Sequence, residues 1–512
     1  MQLIRRPLLG YENRFSAGVL KEETADIIVP DSFPDILNII DTRALACVRE
    51  KRITENGVEL AGAVRVSVLY KPDDPAFTGG FNTVKRLEVV IPFTHLFEQR
   101  GVHNDANVFA SVSVTGAGAR TINPRKVGVT AGVRLDASVF APYSHELTVG
   151  VSEAGFETLL KQAKVNMLIA ARDKIITVND QIELPSGRPP IGEILNVDVR
   201  PSAGEVKIIG TKAVLKGSAA VSVLYQNHSA EALALSTWEQ EIIFSQIIEM
   251  DGADESAEII ANLTLSGIDL DLRGDGRTVD AEITIDAQLL AFSEQRMDII
   301  SDAYSTVFDI APDMKEMSLY TVPESFSIRA QARESGHIEP AAHSIIDTQI
   351  LLGAVEKSDE GGNTVLRVEA IAKIIYTTEE GEYACSEIRV PVEAAVANPD
   401  GHGVSANVRV AGDVFAGVTA DGLEVRFTAQ FEGCLTGRER LMVVDGIRGD
   451  TETPKSDDGM ASVTLRRLGN GETLWDIAKR YSATQRDILA ANAIPETAEL
   501  EAGTLLLIPR KR

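Results

Sequence analysis

Apolar and polar side chains alternate in long runs of this chain. Val112-Ser113-Val114-Thr115-Gly116, Leu263-Thr264-Leu265-Ser266-Gly267 and Val408-Arg409-Val410-Ala411-Gly412 each step between the two classes with a period of two. In an extended backbone that period sends one set of side chains into a core and the other toward solvent or a neighbouring layer. Ile268-Asp269-Leu270-Asp271-Leu272 turns at Gly274-Asp275-Gly276 and returns through Val279, Ala281, Ile283 and Ile285, which predicts a hairpin. The fold class expected is mainly β.

The runs recur in register. Val66-Ser67-Val68-Leu69-Tyr70 returns unchanged as Val221-Ser222-Val223-Leu224-Tyr225, 155 residues later, and at the same offset Pro30, Pro34, Ile36 and Gly62 meet Pro185, Pro189, Ile191 and Gly217. A third, more divergent copy carries Ile374-Ile375-Tyr376 at the equivalent place. Downstream, Ile91-Pro92-Phe93 corresponds to Ile242-Ile243-Phe244 and to Val390-Pro391-Val392. A period this long exceeds any solenoid unit, so it predicts three whole β-domains, at 1–150, 151–295 and 296–444.

Beyond them, Asp445 to Ala461 collects Gly, Asp, Thr and Ser with one Pro and almost no bulky apolar residue. This predicts a flexible linker, and a last module that is tethered rather than packed. Over residues 462–512 the period changes. Leu474, Ile477, Ala478 and Tyr481 fall at i, i+3, i+4 and i+7, one buried stripe of a short helix that Thr473 helps begin. Thr484, with Asp487 three positions on, opens a second helix whose Ile488 and Leu489 face inward. Leu505 to Ile508 forms a strand closing against one near Leu465 and Leu468. The expected order is β-α-α-β, a small α+β domain.

Composition agrees with many half-buried strands: 44% of the 512 residues are apolar but only 5% aromatic. The net charge of −25 is uneven, because residues 462–512 hold eight basic and six acidic side chains, leaving −27 on residues 1–461. Such a surface disfavours nucleic acid, anionic membranes and anionic wall polymers. Cys47, Cys385 and Cys434 are odd in number and far apart, which predicts small core residues in a reducing compartment and neither disulfides nor zinc. The start of the chain lacks the pattern of a signal peptide and no stretch is long enough to span a bilayer, so a cytoplasmic location is expected.

No catalytic or cofactor pattern emerges. The chain has no His-Glu-x-x-His, Cys-x-x-Cys, Gly-x-Ser-x-Gly or phosphate-cradling loop, and its seven histidines are scattered. Asp269, Asp271 and Gly274 suggest a calcium loop, but Arg273 occupies a ligand position and the segment alternates as a strand. A non-enzyme without metal or cofactor is expected.

Two resemblances sharpen this reading. Val29-Pro30-Asp31 with Pro34-Asp35-Ile36, ahead of a strand ending in Tyr70, resembles the SPOCS domain of spore-coat-associated proteins of endospore-forming bacteria. In the second copy Ser186 and Pro190 replace the two aspartates, which favours a turn and strand lead-in over a catalytic role. Gly471-Glu472-Thr473-Leu474-Trp475-Asp476-Ile477-Ala478-Lys479-Arg480-Tyr481, Ile488-Leu489-Ala490-Ala491-Asn492 and Gly503-Thr504-Leu505-Leu506-Leu507-Ile508-Pro509 resemble a LysM module, with Arg466 where that family commonly has an aromatic residue. The second resemblance implies a shallow groove between Gly471, Glu472, Thr473 and Leu474 on one side and Asn492, Ala493, Ile494 and Pro495 on the other. In the family this groove binds N-acetylglucosamine glycans such as peptidoglycan: backbone groups meet the amide and apolar side chains meet the methyl. Together they imply a spore-coat or spore-envelope adaptor made in the mother cell and placed at the forespore surface, whose repeats dock coat proteins. Its LysM module would contact glycan or a basement-layer protein. A general peptidoglycan-binding protein of the cell surface, and then a wall-active enzyme, are the alternatives.

Overall fold

Val66, Val68, Leu69 and Tyr70 are all fully buried. They lie on β3 (Gly57–Pro72), the middle strand of a sheet ordered β2 (Ile36–Thr54), β3, β4 (Lys85–Glu98). A middle strand covered on both faces needs an unbroken apolar run, and this one has it. The sheet faces a second, ordered β1 (Leu3–Ile28), β6 (Lys126–Val151), β5 (Asn107–Asn123), and one apolar cluster from Val29 to Val139 fills the space between them. The computed structural model describes residues 3–509 apart from 74–82, 153–154, 228–233, 457–460, 496 and 499.

The second repeat has the same sandwich. β8 (Ile191–Ile209), β9 (Lys212–Asn227) and β10 (Leu235–Glu249) face β7 (Phe156–Glu183), β12 (Thr278–Ser305) and β11 (Glu258–Leu272). The predicted hairpin is there, with Leu272 opposite Val279. The third repeat pairs β17 (Asn363–Thr378) with β15 (Ala342–Leu352), β16 (Glu356–Glu360) and β18 (Tyr383–Ala397). Its second sheet has β20 (Gly422–Pro454) between β14 (Ser325–Gly336) and β19 (Gly403–Thr419). β13 (Phe308–Thr321) continues the line of β14 along β20, after a break at Val322-Pro323-Glu324. The protein is mainly β, as expected.

Each repeat extends one long two-stranded antiparallel arm beyond its sandwich: residues 3–13 with 140–151, 156–168 with 292–305, and 308–321 with 437–454. Bulges at Asn13/Phe15 and at Ala291/Phe292, and the interruption of the strand between β13 and β14, bend these arms away from the bodies. The arms share one core, to which Leu147, Val165, Met167, Ile299, Leu319 and Leu441 contribute. At the bodies, Leu69, Leu224 and Ile375, the same position in the three copies, meet with Ile40 and Leu195 in another cluster. Equivalent residues converging at two places set the repeats around an approximate three-fold axis.

Beside that apolar plug lies a buried charged lock. Asp41 and Arg43 from the first repeat join Asp347 and Lys373 from the third, with Asp41, Arg43 and Lys373 each no more than 4% exposed. Burial alone would raise the Asp41 carboxyl, but Arg43 and Lys373 overcome it and hold the group at about 2.

Two expectations about segmentation are corrected. The boundary at 295/296 falls inside β12, and that at 444/445 inside β20. Residues 445–454 are no linker: they complete β20 and pair with β13, from Gly446 opposite Asp313 to Pro454 opposite Phe308. Their polar composition misled because the tip of an arm buries little, and cross-strand backbone bonds hold it without bulky side chains. Residues 457–460 of the expected linker lie outside the described residues. Among the described residues no helix is long and apolar enough to cross a membrane.

Candidate functional site

Residues 463–509 form β21 (Val463–Arg467), α1 (Leu474–Tyr481), α2 (Gln485–Ala491) and β22 (Leu505–Pro509), with Leu465 opposite Leu507 across the antiparallel pair. Thr473 caps α1 reciprocally: its hydroxyl accepts from the Asp476 N–H while the Asp476 carboxylate accepts from the Thr473 N–H. The Thr473 hydroxyl, which also donates to the Asp476 carboxylate at 2.7 Å, and the Thr473 N–H hold Asp476 below the usual carboxylate range. Thr484 caps α2 by accepting from the Asp487 N–H. Ile477, Ala478, Ile488, Leu506 and Ile508 form the small core, against which Leu474, Tyr481 and Ile494 lie half-buried.

The eight residues expected to line a groove divide by what their side chains already do. Glu472 accepts from Arg466 at 2.8 Å and from the Gly469 N–H at 3.0 Å, and it pairs with Arg480 at 3.3 Å. Its carboxylate therefore braces its own loop. Arg466 also stacks over the Tyr481 ring at 5.6 Å, so the cation standing where an aromatic was expected still covers that ring. Asn492 clips α2 to the last strand: its amide donates to Ile488 O and Leu507 O, both at 2.7 Å, and accepts from the Leu507 N–H at 2.8 Å. Gly471, Thr473, Ala493 and Pro495 are exposed, and Gly471 and Ala493 have left-handed φ of +73° and +54°. Leu474 and Ile494 supply apolar surface from the two loops, each resting on the same core. The arrangement offers exposed backbone and methyl groups and no free charge, which suits an uncharged amide-bearing ligand.

Sequence reasoning missed what Trp475 does. It lies off the Leu474 stripe yet is only 5% exposed, because the arm of the second repeat covers it. Its indole N–H donates to the Asp302 carboxylate at 2.7 Å, and its ring meets that of Tyr304 at 4.8 Å, edge on. Lys479 donates to both Asp302 oxygens at 2.7 Å, and the Tyr304 hydroxyl donates to Ala483 O at 2.7 Å. The module is docked on the arm, which corrects the expectation that it is only tethered. A large aromatic outside the apolar stripe was the available signal that another surface covers it.

Other candidate chemistry resolves into structure. Asp31 and Asp35 pair with Arg125, which also donates to Val29 O, Pro30 O and Phe33 O, so the aspartates hold a turn. In the second repeat, where serine and proline replace them, Arg277 donates to the backbone oxygens Pro185 O and Arg188 O. Asp275 is held at about 2 by the Thr278 hydroxyl and by the N–H groups of Arg277 and Thr278, and Asp269 sits in β11 opposite Glu282. Among the described residues no group of three or more His, Cys, Asp or Glu is placed to hold a metal. Burial raises the thiols of Cys47 to about 11 and Cys434 to about 12, which keeps them protonated.

Comparison with known families agrees with this division. Residues 35–121 and 190–273 match the SipL, SPOCS domain, and residues 469–509 match the LysM domain. The third repeat shares the strand order of the two matched segments. Both are binding domains; LysM points to glycan binding and SPOCS to a role connected with the spore. No curated protein and no solved structure matches the chain.

Proposed function

We propose that this chain, with SPOCS repeats and a LysM domain fixed to their arms, is a non-catalytic morphogenetic adaptor of the spore coat or envelope. It works at the forespore surface from the mother-cell side. The LysM loops bind N-acetylglucosamine-containing glycan, and the repeats hold coat proteins. One observation carries the reading. The LysM domain docks through Trp475, Lys479 and the turn at Ala483, and this leaves Gly471, Thr473, Ala493 and Pro495 exposed on the assembled chain. Glycan contact and attachment to the repeats therefore use different sides of one small domain, as an adaptor requires.

The ligand chemistry follows from the loops. An N-acetyl group brings one amide, which exposed backbone satisfies, and one methyl, which rests on Leu474 and Ile494. Binding of the full-length chain to N-acetylglucosamine oligomers, followed by calorimetry, tests the assignment. Ile494→Asp places a charge beside the methyl site and is expected to abolish binding. Ala493→Asp is a second variant that spares the core, since aspartate accepts the left-handed backbone found there. Equal binding by the unaltered chain and both variants would refute the groove. No binding by any of them would make the LysM surface a protein-binding one.

The division of labour has its own test. Fluorescent fusions in sporulating cells should show that deleting residues 462–512 abolishes positioning while co-purification of coat proteins persists. If the repeats recover none and the LysM domain recovers them, the roles are reversed.

A further inference from the structure

The short-strand sheets of the three repeats end in β4, β10 and β18. Their registers put Pro92 opposite Ala63, Ile243 opposite Ser218 and Pro391 opposite Glu369. Ala63, Ser218 and Glu369 each stand seven residues before the tyrosine of their repeat, so the three opposed residues occupy one equivalent place at mid-strand.

An outer strand presents every second N–H and C=O along its free edge, a template on which another extended chain pairs. Proline has no N–H and is found in sheets where its nitrogen faces that edge. Pro92 and Pro391 thus interrupt the free edges of β4 and β18. β10 carries no such block. Ile243 retains its N–H, and its side chain is 79% exposed, with Ile247 on the same face at 56%. The ends of β10 are covered: Lys174 donates to Ile247 O at 2.8 Å, and the Thr237 hydroxyl donates to Ile346 O at 3.4 Å. Between these points, Glu239 to Ser245 has no strand of the described residues on its outer side.

The outward face of that window selects an occupant. It runs Glu239, Glu241, Ile243, Ser245, Ile247 and Glu249. Arg200 neutralises Glu239, whereas Glu241 and Glu249 have no ion-pair partner among the described residues. We propose that the edge of β10 takes up an extended segment of a partner protein by strand addition. The segment carries lysine or arginine opposite Glu241 and a β-branched or aromatic residue opposite Ile243. Backbone hydrogen bonds supply attachment, and the two cross-strand pairs supply selectivity. A second copy of the chain is a poor occupant, since it would bring one charge of −25 against another. This deepens the reading of the repeats as docking modules, on which it rests.

The probe is a capped, fluorescently labelled peptide, Thr-Lys-Thr-Val-Thr-Lys-Thr, titrated against the full-length chain by anisotropy. The control peptide has glutamate for both lysines. Ile243→Pro installs the residue that the other two repeats already accommodate, so the sheet is expected to persist, as circular dichroism and melting would report. It should weaken the lysine peptide roughly tenfold by removing an edge donor and obstructing the added strand. Glu241→Lys leaves the backbone intact and should reverse the preference between the peptides. Unchanged affinity in both variants overturns the proposal, as does a dimer in sedimentation that Ile243→Pro dissolves. If Ile243→Pro still recovers the same proteins from sporulating cells, the edge is the wrong site and the docking reading stands. If the peptide binds in an Ile243-dependent way but the repeats recover no protein, the edge stands and the adaptor reading fails.

Discussion

The Tyr376 hydroxyl donates to Pro340 O at 3.2 Å, across 36 residues of chain. Tyr70 reaches Pro34 O at 3.2 Å and Tyr225 reaches Pro189 O at 3.4 Å, each across the same 36 residues. The bond ties the lead-in turn of each repeat to the end of its central strand, where desolvation raises the tyrosine, to about 12 at Tyr70. Replacing any one tyrosine by phenylalanine keeps the ring and orphans a carbonyl, at an expected cost of about 1 kcal/mol. Denaturant unfolding of the three single variants should give similar losses; a far smaller loss for Tyr376→Phe would separate the third repeat from the others.

The lock between the first and third repeats sets a pH response. The folded Asp41 carboxyl lies below its ordinary value, so its contribution is complete above about pH 4 and is lost as pH falls toward about 2. Lys373 is raised, because Asp41 outweighs the effect of burial, so its contribution is lost only as pH climbs beyond the ordinary lysine range. Lys373→Met leaves Asp41 with less compensation. It should cost about 3–5 kcal/mol near neutrality and start acid unfolding at a higher pH. Melting temperature against pH measures both; an unchanged acid limb would show that Lys373 does not neutralise Asp41.

Docking of the LysM domain depends on Asp302, which serves both Trp475 and Lys479. Asp302→Ala removes charge-assisted bonds and should weaken the dock by about 2–3 kcal/mol. The chain has two tryptophans, both buried. In a Trp238→Phe background, emission from Trp475 should therefore shift to longer wavelength on Asp302→Ala. No shift would mean that the aromatic contact with Tyr304 suffices.

Asn492 and Ile494 should fail in different ways. Asn492→Ala removes two hydrogen bonds to Leu507 of the last strand and one to Ile488 O within α2, and is expected to lower the stability of the LysM domain by roughly 2–3 kcal/mol. The folded fraction should keep its affinity for N-acetylglucosamine oligomers. Thermal melting with and without oligomer separates the effects; lost affinity at full stability would make the Asn492 amide a ligand.

Much of this architecture was legible in the chain itself. Period-two alternation, the recurring Val-Ser-Val-Leu-Tyr and the switch to helical spacing at Leu474 determined the mainly β class, the three copies and the β-α-α-β module, because these are local consequences of which side chains must leave water. The two loops proposed as the glycan site are each a short run of neighbouring residues, so the same local pattern places them, while their ligand is for the oligomer titration to decide. Only tertiary structure decided the rest. Residues 445–454 look like a linker because an arm tip is held by backbone bonds to β13, which composition does not register. Docking of Trp475 on Tyr304, the Asp41–Lys373 lock and the open edge at Ile243 each depend on groups far apart in the chain. Periodicity says that a side chain is buried or a strand is formed; which distant surface covers it, or leaves its edge free, is settled by how the three repeats close around their common axis.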